Sequence, residues 1–489
     1  MRRFFVKNLA FVVAINLPIR LAYVLFIDRV VQNRVGAESY GTYSPLLSWT
    51  VIFSIILDFG ITNYNSRTVA QNPDKLQELF PTMLSARLLL IMAYGAIVTI
   101  TGFVVGYNSY QMLLLSGILV FQSLNYMLQF LRSNVAALHK FKIDGILSIA
   151  DRLLMIVVCG ALLLYPGTAQ HFKIEWYILA QIGTYGIGCI IAFFVLRWLH
   201  PIRFRFSFHG QTVWRIIKDT IPYATLIFLM SIYTRLDSPM IERLAGGDGK
   251  IQAAIYAAAY RYLDMSNMFA LMFAAILLPM FGRMLKETQP VNQIVHVCVN
   301  TLLPFSFIVA VAGIFFCNPI MQLSFKAAKD YPDPLYYGHV FRWTMAEFPA
   351  FCIMYIYSTL LTANGSLKTL NKLAIGAVVF NLGLNLYIIP HYKAEGAAVV
   401  GCLTQWLIAL GFIVYCIKEI KLKADVKLVS ALVGYLALIV LLAAGVIFIP
   451  APWLVQLIVF GLAASLLMFP FRFISVGEIK KLVGKKEGV

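Results

Sequence analysis

The chain has 489 residues, of which 60% are hydrophobic and only 13% are charged, and its formal net charge is +18. A soluble globular protein is about half apolar and a quarter charged, so this composition excludes that class. Long apolar runs recur from end to end, whereas an outer-membrane barrel would show short alternating segments. The sequence therefore predicts an all-α protein that crosses a membrane many times.

The first apolar run resembles a signal peptide for about a dozen residues. It has no small-residue cleavage site and continues past Arg20, so we interpret it as an uncleaved first membrane helix. Fourteen membrane spans are predicted, near residues 8–31, 42–66, 80–105, 110–135, 145–166, 175–198, 219–243, 252–282, 293–317, 337–363, 370–390, 396–417, 427–449 and 453–474.

These spans form two candidate six-helix repeats, because DSPMIERLAG (residues 237–246) matches DRVVQNRVGA (residues 28–37) in its Asp, its Arg and its small residues at the end. Transporters commonly arise from such repeats and place their substrate path between them. The predicted order is a first lobe (1–200, spans one to six), a basic cytoplasmic linker (201–218), a second lobe (219–418, spans seven to twelve), two additional spans (427–475) and a basic cytoplasmic tail (476–489).

The basic residues gather in alternate loops, above all in the link 197–218 and in the tail 480–486. This distribution follows the positive-inside rule and predicts that both termini are cytoplasmic. It also explains the net charge without a nucleic-acid partner. The connecting loops are short and leave little room for a catalytic domain, and the seven cysteines have no zinc-like spacing. We therefore expect no enzymatic activity, no catalytic residue, no metal site and no cofactor.

Six arginines lie well inside the predicted spans. An arginine at the bilayer centre costs about 2.5–3.5 kcal/mol, so six facing lipid would cost roughly 15–20 kcal/mol. That exceeds the net stability of a typical domain, so these side chains must pair with acids, snorkel to a membrane surface or face water. The six are Arg20, Arg87, Arg152, Arg235, Arg261 and Arg342.

The position of each arginine in its span separates these alternatives. Arg20, Arg235 and Arg261 are best explained as lining a hydrated cavity. Arg87 and Arg152 lie near the inner surface, where snorkelling explains them equally well. A cavity with surplus arginine suits an anionic passenger, since guanidinium binds phosphate bidentately and stays charged.

Acidic residues in the spans are candidates for ion pairs or for coupling to Na⁺ or H⁺. Arg261 and Asp264, for example, are about one helical turn apart. Arg342, nearer the outer end of its span, is left open between a cavity and a structural role. The candidate acids are Asp28, Asp58, Asp151, Asp237, Asp264 and Glu347.

Three short patterns resemble the polysaccharide-transport, or O-antigen flippase, family of the multidrug/oligosaccharidyl-lipid/polysaccharide exporter superfamily. Their residues are Gly36, Tyr40, Gly41 and Tyr43; then Asp58, Gly60 and Arg67; then Asn381, Asn385, Ile389, Pro390, Tyr392, Gly396, Ala397 and Ala398. The third pattern is the most specific and has an architectural explanation: Pro390 ends a helix, and Gly396 starts a closely packed return helix. The family's usual glycine after Pro-x-Tyr is Lys393 here.

The resemblance implies a two-lobed transporter with fourteen helices in a bacterial inner membrane. It would move an undecaprenyl-diphosphate-linked oligosaccharide to the outer leaflet by alternating access, for O-antigen, capsule or exopolysaccharide assembly. The cavity arginines would bind the diphosphate or acidic sugars. Its partners would be the lipid-linked oligosaccharide, the bilayer and polysaccharide polymerase machinery.

Three other functions compete with this reading. A cation-coupled multidrug antiporter of the same superfamily would need surplus acid in its cavity. A flippase for the peptidoglycan lipid precursor would share the fourteen helices and the cavity arginines. A membrane glycosyltransferase or polymerase would need a catalytic outer loop.

Overall fold

The protein is built of helices. The computed structural model describes residues 18–200, 210–327, 331–422 and 425–473, and these ranges contain helices and turns without any β-strand. This confirms the predicted all-α class.

The chain divides into two compact units, Met1–Ala254 and Ile255–Val489. In the first unit a π-helical turn, Tyr23–Asp28, leads into α1 (Arg29–Ile52) and a 3₁₀ turn (Phe53–Leu57). The helices that follow are α2 (Ile61–Gln71), α3 (Lys75–Val105), α4 (Ser109–Ala137), α5 (Phe141–Leu164), α6 (Pro166–Ala169), α7 (Ile174–Leu199), α8 (Gly210–Arg235) and α9 (Asp237–Leu244). A second 3₁₀ turn (Gly246–Asp248) then leads into α10 (Gly249–Lys286), which begins in this unit. Helix α4 packs on α1, α5 and α7, and α5 also packs on α7.

The second unit contains the rest of α10 and the helices that follow it. These are α11 (Asn292–Phe315), α12 (Cys317–Ser324), α13 (Tyr336–Ala346), α14 (Phe348–Ala363), α15 (Leu367–Glu419), α16 (Val426–Ile447) and α17 (Trp453–Leu467). Helices α11 and α15 each pack on both α13 and α14. The final pair, α16 and α17, packs on α11 and keeps apolar side chains such as Leu441 and Leu466 exposed, as suits lipid contact.

Ten helices in the described ranges are long and apolar enough to cross a membrane. Two of these stretches, Pro18–Leu57 with 40 residues and Leu367–Glu419 with 53 residues, are about twice the length that one crossing needs. Each is broken near its middle, at Gly36 (φ 84°) and at Lys393 (φ 52°), so each supplies two crossings. With α8–α9 and the short apolar helix α17, these helices account for the fourteen predicted spans.

The predicted second span, 42–66, is interrupted rather than continuous. Phe59 and Gly60 both have positive φ, 39° and 75°, and separate the 3₁₀ turn from α2. Asp58 stabilises the new helix start because its carboxylate accepts a hydrogen bond from the Thr62 backbone N–H at 3.2 Å. The Asp-x-Gly pattern therefore encodes a helix break inside the apolar run.

In the first unit, α1 lies in backbone contact with the start of α10. A Cβ atom on Gly41 would lie 1.7 Å from the Lys250 carbonyl oxygen, so no side chain fits there. Gln32 donates to the Ala254 carbonyl at 3.0 Å, and Lys250 pairs with Glu38 at 3.6 Å. The segments that follow the two repeated stretches, 28–37 and 237–246, thus pack together. The boundaries of the two lobes, 1–200 and 219–418, stay a prediction from the sequence.

The break in α15 falls at Lys393, three residues beyond Pro390, where the helix was expected to end. The Lys393 backbone has φ 52° and ψ −133°, a conformation in which glycine is strongly preferred. The family's usual glycine at this position therefore has a physical cause, and lysine adopts this conformation at an energetic cost.

We expect Lys393→Gly to stabilise the protein by about 1 kcal/mol. Relief of about 1–3 kcal/mol of backbone strain outweighs the roughly 0.5–1 kcal/mol that glycine adds in chain entropy. Thermal unfolding of the purified protein in detergent measures the difference. Lys393→Ala is the matched control, because it removes the lysine side chain but keeps a Cβ at positive φ. Equal stabilisation by both variants would mean that the side chain, and not the backbone, is responsible.

Candidate functional site

One face of α5 carries the charges around which the candidate site of the first unit is built. Asp144 and Asp151 are two helical turns apart, so both lie on this face, about 10 Å from each other. Ser148, between them, is also buried. Because α5 packs on α4 and α7, these polar groups meet side chains of neighbouring helices instead of lipid.

Arg152 is held between an acid and two aromatic rings. Its Nε lies 3.6 Å from Asp151 Oδ2. Its guanidinium carbon lies 4.7 Å from the ring centre of Tyr23 and 6.0 Å from that of Tyr185, within the range of cation–π attraction. The side chain is 28% exposed, so Arg152 lies mostly inside the protein.

Arg20 is the cation with the fewest partners in this region. Its Nε is buried, and its guanidinium has no hydrogen bond or ion pair with any residue in the described ranges. Arg152, Asp151 and Arg132 all lie within electrostatic range of it. Asp151 already pairs with Arg152, and a desolvated charge without a hydrogen-bonded partner is costly, so this position favours an anion from outside the protein. We call Arg20, Arg132 and Arg152, with Asp144 and Asp151, the arginine cluster.

Asp28 lies in the π-helical turn and is held by tyrosine hydroxyls. Tyr177 donates to its Oδ1 at 3.0 Å and Tyr40 donates at 3.2 Å. The Tyr23 and Tyr177 hydroxyl oxygens are 2.5 Å apart, and the Tyr43 hydroxyl donates to Gln181 at 3.4 Å. Because Arg152 lies over the ring of Tyr23, this hydrogen-bond network connects Asp28 to the arginine cluster.

Arg87 has a very different environment. Its side chain is fully buried, and its Nη2 lies 2.8 Å from Asp58 Oδ1. The guanidinium also donates to the Leu57 carbonyl and the Thr62 hydroxyl, and stacks 5.3 Å from the ring centre of Phe130. The Leu57 carbonyl is one of the groups released by the helix break at 58–60. These contacts favour a structural role for Arg87, in which it donates a hydrogen bond to the Leu57 carbonyl at the helix break.

The other predicted residues are divided between the units. Arg235 and Asp237 belong to the first unit, whereas Arg261, Asp264, Arg342 and Glu347 belong to the second. Five of these residues are engaged by neighbouring groups: Arg235, Asp237, Arg261, Asp264 and Glu347.

These remaining predicted site residues differ in how deeply they are buried. Asp237 is 2% exposed, Glu347 1% and Arg261 8%, and the Arg261 guanidinium lies 5.5 Å from the ring centre of Phe325. Arg342 is half-buried, and its Nε has no hydrogen-bond partner in the ranges that the structure describes. That these residues bind the substrate stays a prediction.

The asparagines of the late sequence pattern form a buried chain in the second unit. Asn385 donates to Asn381 Oδ1 at 3.1 Å, and Asn381 donates to the Thr404 hydroxyl at 3.5 Å. A Cβ on Gly396 would lie 2.6 Å from Ile388 Cγ2, so the two halves of α15 approach closely there. The pattern therefore links two crossing segments, in agreement with its architectural interpretation.

Sequence reasoning missed Arg132, Tyr23 and Tyr177, and it named Tyr40 as part of a family pattern, not as a partner of Asp28. Arg132 lies near the end of the predicted span 110–135; its Nε is 3.0 Å from Asp144 Oδ1 and its charge reaches Arg20. The two-turn spacing of Asp144 and Asp151 was the available signal for a charged face on α5. Within the described residues no group of three His, Cys, Asp or Glu side chains is placed to hold a metal ion, and the seven cysteines are unpaired.

Comparison with known proteins gives a family and a fold. A family model described as "Polysaccharide biosynthesis protein" matches residues 5–285. No curated protein matches the sequence. Among solved structures, the lipid II flippase MurJ in an inward closed conformation superposes with a TM-score of 0.70 at 14% identity, covering 94% of this chain and 97% of that one.

Two further solved structures are described as transporters of the MOP superfamily. An inward-facing multidrug resistance MATE family transporter has a TM-score of 0.62 at 15% identity and covers 82% of this chain and 94% of its own. A transporter from Pyrococcus furiosus, whose description reports a binding pocket of reverse polarity, has a TM-score of 0.58 at 16% identity and covers 86% of this chain and 96% of its own. At these identities the likeness shows the fold alone.

Proposed function

We propose that this chain, which belongs to the polysaccharide biosynthesis protein family of the multidrug/oligosaccharidyl-lipid/polysaccharide exporter superfamily, is a flippase for a lipid-linked oligosaccharide. Its substrate is an undecaprenyl-diphosphate-linked oligosaccharide, and it carries this lipid from the cytoplasmic to the outer leaflet of a bacterial inner membrane. The product serves O-antigen, capsule or exopolysaccharide assembly.

The observation that carries this proposal is the state of Arg20. Its guanidinium is partly desolvated and has no hydrogen bond or ion pair among the described residues, and Asp151, an acid in its electrostatic range, already pairs with Arg152. A buried cation without a hydrogen-bonded partner is stabilised when an anion arrives, and a phosphate offers the oxygen pairs that guanidinium binds bidentately. A multidrug antiporter for organic cations would have no use for this surplus of positive charge.

Transport then proceeds by binding and release rather than by covalent chemistry. The diphosphate group enters the arginine cluster, and the protein carries it across by alternating access. Asp28, in its network of tyrosine hydroxyls, is the candidate for coupling to H⁺ or Na⁺, because a change in its charge alters the field around the cluster. No cofactor and no catalytic residue takes part in this scheme.

The surroundings of the protein follow from the same proposal. Both termini lie in the cytoplasm, as the basic linker and tail favour. On the outer side, polysaccharide polymerase machinery takes over the delivered oligosaccharide.

Complementation tests the proposed function. In a strain that lacks its O-antigen or capsule flippase, expression of this protein is expected to restore surface glycan. It should also clear the lipid-linked precursor that accumulates on the cytoplasmic face. The same strain carrying an empty vector is the control. The test is repeated in strains that make different glycans, because a flippase that is selective for its own sugar restores only some of them.

Other outcomes point to the competing functions. Rescue of a strain depleted of its peptidoglycan lipid flippase, with no glycan restored in any strain, would assign the substrate to cell-wall synthesis. Increased efflux of cationic dyes with no glycan restored would identify a multidrug antiporter.

A further inference from the structure

We propose that Arg132, a residue outside the set predicted from the sequence, is the first binding station for the anionic group of the substrate, and that Asp144 holds its guanidinium in place until the anion arrives. The anion then moves on to Arg20 and Arg152. This inference rests on the proposed function, because it assumes a passenger with a phosphate or diphosphate group.

The position of the Arg132–Asp144 pair suits an entry station. The two side chains are 20% and 21% exposed, so they are partly desolvated, and their outer position follows from where they lie in their helices. Arg132 lies five residues before α4 ends at Ala137, and Asp144 lies in the first turn of α5. The pair is therefore near the rim of the unit, at the short connection between these helices.

The rest of the cluster lies deeper along the same face of α5. Asp144 and Asp151 are separated by two helical turns, about 10 Å. The two acids are therefore offset along the helix, and in this proposal the anion meets the arginines beside them one after the other. Arg132 lies within electrostatic range of Arg20, so an anion at the rim already experiences the attraction of this second cation.

Asp144 is a suitable placeholder because its bond to Arg132 is easily exchanged. A partly exposed ion pair contributes little net free energy, since its Coulomb attraction is offset by desolvation and screening. A diphosphate carries more charge than a carboxylate and binds guanidinium through two parallel hydrogen bonds. The incoming anion therefore displaces Asp144, and the carboxylate recovers Arg132 after the anion has moved on.

Substitutions of the two partners are expected to have opposite effects on anion binding. The probe is farnesyl diphosphate, titrated into the full-length protein in detergent by isothermal calorimetry. Arg132→Gln is expected to weaken binding about tenfold, since it removes a charged donor pair. Asp144→Asn is expected to strengthen binding several-fold, since it removes the competitor. Arg132→Lys, which keeps the charge but loses the bidentate geometry, should weaken binding by a smaller factor.

The matched control is the exposed pair of Arg283 and Glu287, which has a similar geometry at 2.8 Å in the second unit. Arg283→Gln and Glu287→Gln are expected to leave the affinity unchanged. If the Arg132–Asp144 pair only joins α4 to α5, its substitutions will change affinity in the same direction or not at all, and either result overturns the proposal. Should Arg132→Gln fail to fold, the signs for Arg132→Lys and Asp144→Asn decide the question.

The experiment separates this inference from the proposed function. Glycan rescue by the wild-type protein, together with effects of equal sign at Arg132 and Asp144, would refute the entry station and keep the flippase. Opposite signs without glycan rescue would keep the anion station and refute the assigned lipid-linked sugar.

Discussion

Arg87→Ala is expected to remove most of the folded protein from the membrane. The substitution leaves Asp58 without its buried partner and takes donors from the Leu57 carbonyl and the Thr62 hydroxyl. Breaking a buried ion pair from one side costs about 3–5 kcal/mol. That is a large part of the roughly 5–15 kcal/mol that holds a typical domain folded, so we expect severe loss of stable protein.

The amount of monodisperse protein measures this effect, by size-exclusion chromatography of a fluorescent fusion after mild detergent extraction. Arg87→Lys is expected to lose less protein, because lysine keeps the charge but lacks the planar set of N–H donors that lets arginine bond several acceptors at once. Normal abundance of Arg87→Ala with transport abolished would contradict the structural role. Arg87 would then belong to the substrate path.

Arg20→Gln is expected to give the opposite phenotype, with normal abundance and strongly reduced transport. Arg20 has no hydrogen bond or ion pair to lose among the described residues, so its removal should leave stability nearly unchanged. A hydrogen bond to a charged group contributes about 1.5–3 kcal/mol, which corresponds to roughly a 10- to 150-fold loss in affinity for an anionic substrate.

Surface glycan at limiting expression is the measurement for Arg20→Gln, with protein abundance determined in the same cells. Arg20→Lys is the control for charge alone and is expected to retain part of the transport. Wild-type transport by Arg20→Gln would remove this residue from the substrate path. A loss of abundance equal to that of Arg87→Ala would show that Arg20 is structural.

These two arginines show where sequence reasoning reached its limit. Both lie in apolar spans, and the sequence distinguished them only by their depth in the membrane. Depth left Arg87 open between snorkelling and a cavity, with Asp58 among several candidate acids, and its side chain is fully buried against Asp58. The partner lies 29 residues away in the chain and beyond a helix break, so no local pattern pointed to it.

The sequence by itself determined the class of the protein, its many membrane spans and its family. These properties depend on apolar length, on positions that require glycine-like backbone angles and on short patterns, all of which are local. The breaks at Gly36 and Gly60 fall within the early family patterns. Lys393 broke the late pattern at the one position where the backbone has positive φ, so the departure has a structural consequence.

Only the tertiary structure decided which charges are satisfied and which are available. Asp28 receives a hydrogen bond from Tyr177, 149 residues away, and Arg132 meets Asp144 through the packing of α4 on α5. The role of a charge inside a membrane protein depends on its partners, because a fully buried ion pair such as Arg87–Asp58 holds the fold, whereas a partly exposed pair such as Arg132–Asp144 is weak enough to exchange. Those partners come from distant helices, and their identity depends on how the helices pack rather than on the order of residues along any one of them.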